Sequence, residues 1–221
     1  MVSDIVYNNN TAMSKPKILY IYDAICGWCF GFSPVMARFS DEYANKVDIA
    51  VVSGGLKLGD GVGTISEIAA FLKDAYLDVE AKTGVKFGEA FVNGPLEDGS
   101  MVLNSLPPAI ALSIIKERYP EKALEFAGML HKMIYVDGVG PENYAAYGQY
   151  AATLGYDEAE FYAKMLNPVY FEMAQRDFAY AKSLGVRSYP TLLIEKGGKM
   201  EVLASGYISY ERLATLVDSK L

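Results

Sequence analysis

The hydrophobic period of this chain changes twice, and that double change limits what it can fold into. Ile18–Tyr22 and Val47–Ser53 are short apolar runs, rich in β-branched and aromatic residues, that read as buried strands. From Thr64 to Gly185 the pattern is helical. After Gly185 it returns to β: Thr191–Glu195 and Met200–Ala204 flank a Lys196-Gly197-Gly198-Lys199 turn, the pattern of a hairpin. Strands at both ends of such a chain share one sheet only if the helical block is an insertion into it.

The block carries its own punctuation. Thr64-Ile65-Ser66-Glu67 is a capping box ahead of Ile68, Leu72, Ala75, Tyr76 and Val79, and Gly84 can close that helix. Pro107-Pro108 opens another helix, and Pro120 separates it from a segment with Ala123, Phe126, Ala127, Leu130 and Ile134. Pro141 is expected to start a helix ended by Gly155, Asp157 to cap a short one, and Pro168 to begin a longer one stopped at Gly185. Beyond the hairpin, Ser209 can cap a last helix carrying Leu213, Leu216 and Val217.

Both cysteines, Cys26 and Cys29, lie where the first strand gives way to an amphipathic helix from about Trp28 to Tyr43. Free N–H groups and the positive end of a helix dipole favour a thiolate there, most of all at Cys26. Cys29, one turn on, is spaced to attack a mixed disulfide formed at Cys26, so a dithiol can leave as a disulfide. A zinc site needs four ligands, and beyond these thiols the chain offers only His131 and carboxylates. An inert buried pair is the other bland reading. In the same helix, Pro34 either kinks it or starts a new one.

The loop with Gly54, Gly55, Gly59, Gly61 and Gly63 lacks Gly-Lys-Ser/Thr and carries Asp60, which repels phosphate; it reads as a flexible connection out of the sheet. His131, the one histidine, reads as a surface or satisfied residue rather than a catalyst. A net charge of −7 argues against nucleic-acid backbones and anionic membrane surfaces as partners. Met1–Pro16 has no apolar core of the length a secretory signal needs, and Met13 begins a plausible start, so the residues before it read as an upstream extension or mobile tail. A cytoplasmic location is expected, in keeping with two cysteines confined to one motif.

Asp23-Ala-Ile-Cys26-Gly-Trp-Cys29-Phe-Gly-Phe resembles the active-site signature of the DsbA-like family of the thioredoxin superfamily, within it the FrnE-related subgroup. The likeness runs from about Lys17 to Leu221, and Pro34 matches the family's helix-kinking proline. It implies an α/β, thioredoxin-like fold with an inserted all-helical domain: residues 14–63 and 186–221 form the thioredoxin-like domain, and 64–185 the insert. Val186-Arg187-Ser188-Tyr189-Pro190-Thr191 resembles the family's cis-proline loop, which makes Tyr189 and Pro190 the substrate-binding residues beside catalytic Cys26 and Cys29, with Asp23 and Trp28 as neighbours.

The resemblance implies a thiol–disulfide oxidoreductase, a reductase or isomerase of thiol or disulfide substrate proteins. It would use no metal and no bound cofactor, with glutathione as a candidate reductant or co-substrate. Two departures stand out. Many relatives bury an acid six residues ahead of the first cysteine, where this chain has Tyr20, and strongly oxidising relatives place histidine between the cysteines, where this chain has Gly27-Trp28. Two alternatives remain. One is a glutathione-dependent transferase or isomerase of the kappa or hydroxychromene-carboxylate type, which generally has serine at the first position and lacks the second cysteine. The other is a non-enzymatic, redox-sensing peptide binder.

Overall fold

The computed structural model describes residues 15–221. Ser14, the first residue assigned to the sheet domain, and the tail ahead of Met13 lie outside the described residues. Strand β1 (Lys17–Tyr22) has its last five residues buried, as a central strand should. It leads into α1 (Gly27–Tyr43) and then β2 (Asp48–Ser53). A 3₁₀ turn at Gly59–Gly61 precedes β3 (Gly63–Thr64), which pairs antiparallel with β4 (Val102–Leu103). The helical block is thus broken by one short ladder that its periodicity did not disclose, because two residues cannot establish a period.

Between these strands lie α2 (Ala69–Thr83), α3 (Glu89–Val92) and α4 (Pro95–Asp98). The Thr64–Glu67 capping box forms, but it opens a 3₁₀ turn at Ile65–Ile68 that feeds α2, and Gly84 closes α2 in the left-handed region at φ 80°. Next come α5 (Leu106–Arg118), α6 (Ala123–Tyr135), α7 (Tyr144–Ala152), α8 (Glu158–Met165) and α9 (Pro168–Ser183). Helix α7 begins three residues later than expected, because Pro141 lies in a turn and Asn143 is the cap position. Asp157 and Asn167 cap α8 and α9 with their side chains.

The hairpin β5 (Thr191–Lys196) and β6 (Lys199–Ser205) turns through Gly197 and Gly198, both at positive φ, and α10 (Tyr210–Asp218) follows its Ser209 cap. The sheet runs β2-β1-β5-β6, with β1 and β2 parallel and the other pairs antiparallel. Strand β1 therefore pairs with a strand from beyond the insertion. One continuous core joins Tyr20 and Tyr22 of the sheet to Phe32 and Phe39 of α1 and to Ile114, Phe126 and Ile134 of the inserted helices. Lys116 of α5 pairs with Asp177 of α9 at 2.8 Å, and the Ser53 N–H of β2 donates to the same carboxylate at 3.0 Å. Helix α1 passes through Pro34 as one element, so Pro34 starts no new helix.

Candidate active site

Cys26 is the N-cap residue of α1, in extended geometry at φ −98° and ψ 112°. Its carbonyl accepts from the Phe30 N–H at 3.1 Å, and the N–H groups of the helix's first turn have no carbonyl partner within the helix. The Cys26 thiol donates to the Tyr189 carbonyl at 3.5 Å, and both cysteines are free thiols. Cys26 is 8% exposed and Cys29 is wholly buried. Burial pushes the Cys29 thiol well above its ordinary range, and the neighbouring Cys26 pushes the same way, while the Asp23 backbone acts to lower it.

The Tyr189–Pro190 bond is cis. The Tyr189 hydroxyl donates to the Gly54 carbonyl at 2.6 Å, the Gly206 N–H donates to the Pro190 carbonyl at 2.7 Å, and Thr191 Oγ1 donates to the Ser188 carbonyl at 2.7 Å. Two of these bonds tie the loop to Gly54 and Gly206, and the third closes the loop on itself. Gly54 is required by the close approach, since a Cβ there would sit 2.1 Å from the Tyr189 ring.

Asp23 is a tie rather than a free charge. One carboxylate oxygen accepts from the Gly55 N–H at 2.9 Å and the Leu56 N–H at 2.7 Å; the other accepts from the Ile25 N–H at 3.1 Å and the Ser105 hydroxyl at 3.0 Å. It joins the loop before Cys26, the glycine loop after β2 and the start of α5. Burial raises its pKa, although all four hydrogen bonds act to lower it. The glycine loop is therefore pinned at its start, which corrects its reading as a flexible connection: Gly55 and Leu56 supply two of the donors that a buried carboxylate requires.

His131 also belongs to this region. It is buried on α6, its Nε2 lies 3.2 Å from the Asp23 carbonyl and its Nδ1 2.8 Å from the Ser33 hydroxyl, and its ring packs edge-on against Tyr22. A carbonyl can only accept, so Nε2 carries the hydrogen and Nδ1 accepts from Ser33. Burial lowers the His131 pKa to about 4, so the ring is neutral at physiological pH. Below about pH 6.5 an unfolded histidine takes up a proton that the folded one refuses until about pH 4. Stability should fall by about 2 kcal/mol between pH 7.5 and pH 5 through this group. Urea unfolding at both values, with and without His131→Gln, checks this; an equal pH slope in the two proteins would contradict it.

A cleft of about 390 Å³ opens at Cys26. Trp28, Phe71, Tyr76, Phe87 and Tyr135 wall it, and its charged lining residues are Lys57 and Arg187, with no carboxylate among them. Trp28 is half-buried, 6.4 Å from the Tyr207 ring between centroids, with the Lys82 ammonium 5.4 Å from its own ring. The α2 wall and Lys57 escaped sequence reasoning: Phe71, 70% exposed, looks like noise on a helix until the cleft beside it is visible. Among the described residues no group of three or more His, Cys, Asp or Glu is arranged to hold a metal ion.

No protein-family model matches the chain, and no curated protein matches it in sequence. Solved structures do match. A candidate protein disulfide isomerase from Nitrosomonas europaea superposes with a TM-score of 0.81 at 24% identity, over 93% of this chain and 97% of that one. The cytosolic disulfide reductase DsbM from Pseudomonas aeruginosa gives 0.77 at 24% identity, over 92% and 98%. The fold is the DsbA-like thioredoxin fold. A 2-hydroxychromene-2-carboxylate isomerase shares this DsbA-like arrangement less closely, with a TM-score of 0.61 at 12% identity over 92% and 94% of the two chains. Within the fold, the cysteine pair sits at the start of the first helix and the cis-proline loop lies against it.

Proposed function

We propose that this protein is a thiol–disulfide oxidoreductase that works as a glutathione-coupled disulfide reductase or isomerase in the cytoplasm. The observation that carries the reading is the Cys26 thiol at the N-cap of α1, facing the Tyr189 carbonyl, with Cys29 buried one turn behind it. Cys26 attacks a substrate disulfide, forming a mixed disulfide and releasing one thiol. Cys29 then attacks the Cys26 sulfur, the second substrate thiol leaves, and the two electrons that reduced the substrate have come from the dithiol. Tyr189 and Pro190 flank the substrate strand, and Trp28 forms the wall on the other side of Cys26.

Glutathione is the small thiol whose chemistry suits the cleft. It carries two carboxylates, and the cleft presents Lys57 and Arg187 with no opposing acid. The DsbM structure has also been solved with GSH, at a TM-score of 0.70 to this chain. Cytoplasmic action accords with a thiol supply that keeps such a pair reduced. The test is insulin reduction driven by glutathione. The protein should accelerate precipitation of the insulin B chain, with Cys26 alkylated far faster than Cys29 when the reduced protein is treated with iodoacetamide. No acceleration, or equal alkylation rates mapped by mass spectrometry, would count against it.

A further inference from the structure

Helix α2 turns an apolar face to the cleft at Cys26. Ile68 at its N-cap, then Phe71, Leu72, Ala75, Tyr76 and Val79, recur at helical spacing, and all of them line the cleft. Of these only Val79 is buried. It is seated on α1, where a Cβ on Gly27 would lie 3.9 Å from it and one on Gly31 2.9 Å. Because Val79 already meets the first residue of α1, the earlier residues of α2 reach beyond the start of that helix and stand as an open wall beside Cys26. Phe71 is 70% exposed there, and Leu56, on the glycine loop that lines the same cleft, is 47% exposed. Large apolar side chains left open beside a reactive thiol are contact area for a substrate.

Glutathione alone cannot use this wall. It is a γ-glutamyl-cysteinyl-glycine with two carboxylates and no apolar side chain, so its recognition falls to Lys57 and Arg187. Those two cations sit on the glycine loop and the cis-proline loop, which the Tyr189 hydroxyl joins by donating to the Gly54 carbonyl at 2.6 Å. The cleft is thus lined by cations and no carboxylate, in a chain of net charge −7, and its other chemistry is the apolar face of α2. A ligand that satisfies both has an anionic half and an apolar half, and a disulfide offered to Cys26 is the bond that joins two such halves.

Resting on the reading of a glutathione-coupled oxidoreductase, we propose that the preferred substrate is a glutathionylated cysteine in an extended peptide segment, followed by a large apolar residue. The glutathionyl half faces Lys57 and Arg187, and the apolar side chain packs on Phe71 and Leu72. A cleft of about 390 Å³ takes a few side chains and not a folded element, so the segment enters unfolded.

The Cys26 thiolate attacks the glutathione sulfur. A Cys26–glutathione S–S bond forms as the glutathione–peptide S–S bond breaks, and the peptide thiolate leaves with the electron pair and takes a proton from solvent. Cys29 then loses its proton and attacks the Cys26 sulfur, and glutathione leaves as its thiolate. Two further glutathione molecules reduce the Cys26–Cys29 disulfide and depart as oxidised glutathione. The net change is one glutathionylated peptide and one glutathione converted to one peptide thiol and one oxidised glutathione.

The experiment uses two glutathionylated peptides that are identical except for phenylalanine or serine directly after the cysteine. Wild type is supplied with reduced glutathione, and release of the peptide thiol is followed by chromatography. The phenylalanine peptide should have a kcat/KM about tenfold or more above the serine peptide, the scale for burying one aromatic side chain. Phe71→Ser should cut that ratio to about twofold or less, and Phe71→Leu should keep most of it. Phe71 is too exposed for either change to disturb the core. Equal kcat/KM for the two peptides in wild type, or a preference that survives Phe71→Ser, overturns the proposal. So does a wild-type dimer in sedimentation that Phe71→Ser abolishes, because a second copy would then cover the α2 face. If insulin is reduced but neither peptide is, the substrate proposal fails and the oxidoreductase reading stands. If none of the three is reduced, both fail.

Discussion

Cys29→Ser will accumulate as a mixed disulfide through Cys26, and Cys26→Ser will react with the same disulfides only at the rate of an unassisted buried thiol. The asymmetry follows from where the two sulfurs sit. Cys26 is at the helix N-cap and the mouth of a cleft, so charge that develops on it meets unpaired N–H groups and the positive helix end. Cys29 is fully buried beside Asp23, and its thiol is held protonated, so it is a poor first nucleophile. It becomes effective only when the disulfide it attacks is already one turn away. Incubation with oxidised glutathione and intact-mass analysis should find one glutathione on Cys29→Ser and none on Cys26→Ser. Adducts on both variants at equal rates would contradict the division of roles.

Asp23→Ala should lower stability by roughly 3–5 kcal/mol, the scale for breaking a buried charged network, and the melting temperature by about 10 °C. Three backbone N–H groups and the Ser105 hydroxyl would be left in a buried site without their acceptor. Asp23→Asn should cost less. Its remaining oxygen can keep the Gly55 and Leu56 donors, and Ser105 can rotate to accept from the new amide, but the Ile25 N–H is left facing an N–H group. Thermal unfolding of the three proteins orders them wild type, Asn, Ala. An alanine variant as stable as wild type would mean that the carboxylate is not the tie between the two loops and α5.

What was legible in the sequence was short-range. Caps at Asp157 and Ser209, the Thr64–Glu67 box and the glycine turn at 197–198 act through residues three or four apart, and the structure has each where the pattern puts it. The strand order was legible only as a consequence of the interrupted period. The site's supports were not, because they join residues distant in the chain: Ser105 and Asp23 are separated by 82 positions, His131 and the Asp23 carbonyl by 108, and Tyr189 and Gly54 by 135. No local pattern announces that a lone histidine will anchor the carbonyl of the residue three before Cys26. Pro141 misled for a related reason: proline favours a first helical turn, but the turn here is completed before Asn143 takes the cap position.

The poise of the pair follows from the groups around the two sulfurs. Gly27-Trp28 brings no cationic ring to the cysteines, and burial holds the Cys29 thiol protonated. Both leave the reduced form without the extra thiolate stabilisation that makes a strong oxidant. The pair should hold its disulfide firmly and work as a reductant or isomerase.

The most direct test is an equilibrium titration of the Cys26–Cys29 pair in glutathione redox buffers, followed by the fluorescence of Trp28, the chain's single tryptophan and a neighbour of both sulfurs in sequence. The account predicts one two-electron transition with a midpoint near or below about −200 mV, in the range of reducing and isomerising dithiols. A midpoint near about −120 mV, that of a strong periplasmic oxidant, or no two-electron transition at all, would contradict it.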